Sequence, residues 1–99
     1  MHYLLMYRLA EDYLERRPQF RSVHVAAARA AQERGEMVLA GALTDPADMA
    51  VLLFQGDSPA AAEAFARADP YVLEGLVSSW QVRAWHTVIG AAAAHTLPG

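Results

Sequence analysis

The chain is 99 residues long, 55% hydrophobic and 19% charged, with a formal net charge of −3 and no cysteine. That length suits one domain, and the absent cysteines exclude disulfides, thiolate catalysis and Cys-based metal centres. An acidic balance gives no electrostatic footprint for nucleic acid. No apolar run approaches the roughly 20 residues that span a bilayer. The N-terminus shows no basic region followed by an apolar segment, so a cytoplasmic protein is expected. A small domain buries only about 60–65% of the surface its unfolded chain exposes. A hydrophobic content of 55% is therefore more than a monomer of this size easily hides.

Tyr3-Leu4-Leu5-Met6-Tyr7 reads as a first strand, apolar at every position. Ala10–Arg17 is charged and stops at Pro18, which suits the first turn of a helix. From Gln19 to Arg34, Phe20, Val23, Ala27, Ala30 and Ala31 recur at helical spacing, and Gly35 sits where a left-handed C-terminal cap belongs. Met37–Leu43 is a second strand containing Gly41, and Thr44–Asp48 carries turn chemistry. Ala50–Phe54 is a third strand. Ser58-Pro59 opens a second helix that runs to about Ala68. Pro70 disfavours helical backbone at Asp69, so a break falls there, with one short turn over Pro70–Glu74. Trp80–Val88 alternates, placing Trp80, Val82, Ala84 and Val88 on one face of a fourth strand. Residues 1–89 form the domain and residues 90–99 an Ala-rich tail.

The order β-α-β-β-α-β predicts an α+β, ferredoxin-like fold with a four-stranded antiparallel sheet and both helices on one face. The first and third strands are nevertheless apolar on both faces, as in a sheet covered twice. A second copy of the same sheet is the simplest cover, so a homodimer through the open sheet face is expected.

This topology brings distant residues to one end of the sheet: Arg8, Arg21, His24, Gly41–Thr44, Asp69-Pro70-Tyr71 and Ser78–Trp80. His24 stands at the border of the apolar helix face, and histidine is the side chain that ordinarily titrates near neutral pH. Asp69 can accept from the imidazole and fix its tautomer, as carboxylates do in catalytic pairs. Arg21, one turn before His24, suits an anionic substrate group. Gly41 permits close approach to the strand, and Tyr71 and Trp80 complete the candidate substrate-binding set at the pocket mouth. Each has a plainer explanation. His24 can be a packed border residue, Asp69 an N-cap, Gly41 a bulge and Arg21 a solvated helix position. His2 and His86 fall at the opposite end and His95 in the tail. No histidine pair has helical metal-ligand spacing and no glycine-rich phosphate loop is present, so neither a metal nor a cofactor is expected.

Arg21-x-x-His24, Gly35, Ala40-Gly41-Ala42-Leu43-Thr44-Asp45, Asp69-Pro70-Tyr71, Gly75-Leu76 and Trp85 together resemble the YCII (YciI-like) family over residues 2–88. Ala42 and Ala84 stand where that family often has proline. The resemblance implies a dimeric α+β barrel, similar in shape to muconolactone isomerase-like proteins, and a His–Asp active site that maps onto His24 and Asp69. It also implies a small-molecule enzyme, since some members act in dehydrochlorination or lyase-type steps of aromatic degradation. With no nucleophile or metal motif in the chain, proton abstraction followed by elimination or isomerisation is the expected chemistry. A non-catalytic metabolite-binding or regulatory dimer is the alternative.

Overall fold

The computed structural model describes residues 1–97. Chain order is β1 (His2–Leu9), α1 (Tyr13–Glu33), β2 (Met37–Ala42), β3 (Met49–Gln55), α2 (Ala60–Ala68), α3 (Pro70–Leu73) and β4 (Val77–Trp85). The four strands form one sheet in the order β2-β3-β1-β4, with every neighbouring pair antiparallel. This is the ferredoxin-like α+β arrangement that the element order predicts.

The pleat explains which strand residues are core. Tyr3, Leu5 and Tyr7 of β1 lie opposite Phe54, Leu52 and Ala50 of β3, and all six are buried. Trp80 and Val82 of β4 pair with Tyr7 and Leu5 and extend the same layer. Phe65, Ala62 and Ala66 of α2 close over it, with Phe65 5.7 Å from the Phe54 ring. The other face carries Leu4 and Met6 opposite Leu53 and Val51. These four are only half-buried, and Leu39 beside them is 70% exposed.

Three features depart from the sequence-based reading. Helix α1 begins at Tyr13, and Pro18 lies inside it. A proline there forfeits one backbone hydrogen bond, but the preceding turn is held from outside. Tyr13 is buried edge-on against Tyr71, centroids 5.8 Å apart, and the Arg16 guanidinium donates to the Glu74 carbonyl at 2.8 Å. Val23, assigned to the apolar face of that helix, is 61% exposed. Only Tyr13 and Ala31 of α1 are fully buried. The third departure is β4, which runs over Val77–Trp85 rather than Trp80–Val88. An irregularity between Arg8 and Leu9 lets Leu9 pair with Val77, and after Trp85 the chain turns, with Thr87 N–H donating to the Trp85 carbonyl.

The far end of the sheet is tied by the tail. Thr87 Oγ1 lies 2.6 Å from His2 Nδ1 and accepts from Ala94 N–H, and the His86 and His95 rings stack at 3.9 Å. Residues 98–99 of the expected 90–99 tail lie outside the described residues. No described helix is long and apolar enough to cross a membrane.

Candidate active site

Asp69 organises the site. It follows α2 in extended backbone (φ −70°, ψ 123°), as a residue before proline must. Its Oδ1 caps α3 by accepting from Tyr71 N–H at 3.0 Å. The carboxyl group is fully buried, which is costly unless its oxygens are satisfied. Three donors meet it. Besides the cap, the Tyr7 hydroxyl donates to Oδ2 at 2.7 Å, and His24 Nδ1 lies 3.0 Å from both oxygens.

Those contacts set the histidine's tautomer. A carboxylate only accepts, so the proton of a neutral His24 ring resides on Nδ1 and the lone pair on Nε2. The ring is held on its faces as well. It stacks on Tyr71, centroids 3.9 Å apart and planes 9° apart, and meets Phe65 edge-on at 6.1 Å. Its side chain retains 18% exposure, and it opens on a cleft of about 440 Å³ between α1 and β2.

Small residues line part of the cleft: Ala28 on α1 and Ala40, Gly41 and Ala42 on the edge strand. Tyr7, Leu9, Leu52 and Met37 form the apolar floor. Arg17, Arg21 and Arg29 line the helix side.

Of the residues proposed from sequence, His24 and Asp69 are in direct contact, and Arg21, Gly41 and Tyr71 share the cleft wall. A methyl group added at Gly41 would meet nothing within 4 Å, so the glycine leaves room rather than relieving a clash. Trp80 is elsewhere. Strand β4 is on the opposite sheet edge from β2, and the indole lies under the Arg67 guanidinium, 5.7 Å from its centroid. Plain sequence reading misses Tyr7, Arg17 and Arg29. Tyr7 sits in a run that is apolar throughout and carries no chemical signature, and the arginines resemble ordinary solvated helix positions. Burial, then the neighbouring Asp69 carboxylate, raises the Tyr7 phenol far above its ordinary range. Tyr7 therefore acts as a fixed donor. Among the described residues no group of three or more His, Asp or Glu is placed to hold a metal ion.

No curated protein matches this sequence. Among solved structures, 5-chloro-2-hydroxyhydroquinone dehydrochlorinase from Burkholderia phenoliruptrix, in complex with 2,5-dihydroxybenzoquinone, has the same fold. The two align with a TM-score of 0.72 at 21% identity, over 89% of this chain and 96% of that one. The YCII-related domain model matches residues 1–86; with most of its length matched, the chain belongs to the YCII family.

Proposed function

We propose that the protein is a small-molecule enzyme in which His24 and Asp69 perform acid–base catalysis of an elimination or isomerisation. One observation carries this reading: a histidine whose Nδ1 is bonded to a buried carboxylate also borders an open cleft. Asp69 orients the ring and stabilises the imidazolium that forms when Nε2 accepts a proton. In an elimination, Nε2 takes a proton from carbon. The C–H electron pair becomes the new double bond, and the leaving group departs from the adjacent carbon with its own pair. In an isomerisation, His24 returns the proton to a different carbon. Arg21 binds an anionic substituent of the substrate, while Tyr71 and Gly41 border the substrate volume. The fold shared with a dehydrochlorinase supports the elimination branch. The apolar open face supports a homodimer as the working unit.

The test is an assay of chlorinated hydroxyhydroquinones and enolisable lactones for chloride release and double-bond migration. Replacing His24 by Asn should lower kcat by about 10²–10⁴-fold, the usual contribution of a positioned base, with the fold unchanged. A His24→Asn variant that turns over at the wild-type rate overturns the assignment. The second reading, a non-catalytic metabolite-binding dimer, has its own support: Asp69 caps α3, a structural duty that needs no chemistry. Ligand binding by the wild type without turnover would favour it.

A further inference from the structure

The charge lining the cleft is of one sign. Arg17, Arg21 and Arg29 border it and no aspartate or glutamate does, although the chain as a whole is acidic at −3. Of the other five arginines, three have carboxylate partners: Arg16 with Asp12, Arg34 with Glu36 and Arg67 with Glu63. Among the described residues no ion pair involves any of the three cleft arginines. Arg17 Nε is moreover buried without a hydrogen-bond partner, an arrangement that costs stability unless something else occupies the site.

Their positions along α1 are informative. Arg17 and Arg21 are one helical turn apart. Both act on the Tyr71 phenol, which burial raises and these two arginines lower, so their charge reaches the ring stacked on His24. Arg29 is eight residues beyond Arg21, about 12 Å further along the axis at ~1.5 Å per residue. His24 lies between them on the same cleft-facing stripe. A single anionic group uses one end of this stripe and leaves the other end as uncompensated positive charge. Two anionic groups, separated by the width of a small ring, use both.

We propose that the cleft binds a small planar dianion, one acidic group held by Arg17 and Arg21 and the other by Arg29, with the intervening carbons facing His24. The orientation toward His24 rests on the acid–base reading above; the dianion preference rests on the arginines alone. Monoanions bind at the Arg17–Arg21 end only, and neutral molecules of the same shape are disfavoured.

Calorimetric titration at low ionic strength with benzoate and with benzene-1,4-dicarboxylate tests this. The dicarboxylate should bind about tenfold more tightly or better, the gain from one further charge-assisted contact. Arg29→Gln should reduce the dicarboxylate to the affinity of benzoate and leave benzoate unchanged, whereas Arg21→Gln should weaken both. Both arginines are exposed, and thermal unfolding verifies that the variants fold. Equal affinity for the two probes, no binding of the dicarboxylate, or indifference to Arg29→Gln would overturn the proposal. His24→Asn should keep the preference for the dicarboxylate. Loss of binding thus counts against the dianion site, and turnover that survives in that variant counts against the His–Asp assignment.

Discussion

Tyr7 and His24 donate to the same carboxylate from different layers of the fold. The Tyr7 hydroxyl reaches Asp69 Oδ2 from the central strand at 2.7 Å, while His24 Nδ1 approaches from α1 at 3.0 Å. The sheet therefore fixes the carboxylate and the carboxylate fixes the imidazole. Replacing Tyr7 by Phe removes the donor but preserves the packing. It should cost about 1–3 kcal/mol, the penalty for leaving a buried acceptor short of a partner, and should loosen the His24 ring. Thermal unfolding and the line widths of the His24 ring signals in NMR spectra measure the two effects. A Phe variant with wild-type stability and a rigid His24 would mean that the hydroxyl contributes nothing.

The same phenol gives stability an alkaline limit. Its folded-state pKa is raised far above the ordinary value of 10, chiefly by burial. Below pH 10 the folded and unfolded chains both hold the proton, so the contribution is complete. Above pH 10 the unfolded chain releases it while the folded chain does not, and stability falls as pH rises, by up to about tenfold in the folding constant per pH unit per group. Tyr71 is shifted in the same direction, again mainly by burial, and adds to the slope. Denaturant unfolding between pH 9 and 11 should show this decline, shallower in Tyr7→Phe than in the wild type.

Asp69→Asn separates orientation from volume. The amide is nearly isosteric but has one oxygen for three converging donors, Tyr7, His24 and Tyr71 N–H. If that oxygen serves Tyr71 N–H, the amide NH₂ takes the Oδ2 position, 3.0 Å from His24 Nδ1, and its donation there favours the tautomer that carries the proton on Nε2. The base then presents a proton to the cleft instead of a lone pair. Nitrogen-15 NMR of the ring should report the tautomer change, and activity should fall as far as in His24→Asn. An unchanged tautomer would remove Asp69 from its orienting role.

Much of this architecture is legible in the residues. Alternation and turn chemistry give the element order, and antiparallel reasoning gathers His24, Asp69, Arg21, Gly41 and Tyr71 although up to 50 residues of chain separate them. What escapes is decided by tertiary contact. Pro18 looks like a helix start because the docking of Tyr13 on Tyr71, which extends α1 by more than a turn, leaves no local signal. The start of β4 depends on the irregularity at Arg8 and Leu9. Trp80 belongs to the correct end of the sheet but to the wrong edge, because strand polarity sorts residues by end and only strand order sorts them laterally. A tyrosine in a run of apolar residues is indistinguishable from core until its hydroxyl is seen to have a partner.

The open sheet face is apolar at its centre. Leu4, Met6, Val51 and Leu53 form two opposed pairs at its centre, with Leu39 70% exposed and Trp85 46% exposed toward its edges. Contiguous apolar surface of this kind on a small domain ordinarily meets a partner. The proposed partner is a second copy, since a two-fold axis lets one self-complementary patch cover both sheets and close the assembly at two. Light scattering should give about twice the monomer mass of 10.8 kDa. Leu53→Arg puts a charge opposite Leu4 in each copy, and two such charges would lie near the axis, desolvated and alike in sign. The variant should therefore run as a monomer while keeping its circular dichroism, because Leu53 is on the face away from the helices and the buried core of Leu5, Leu52 and Phe54 is untouched. A wild-type protein that remains monomeric at micromolar concentration would overturn the dimer, and a Leu53→Arg variant that remains dimeric would place its interface elsewhere.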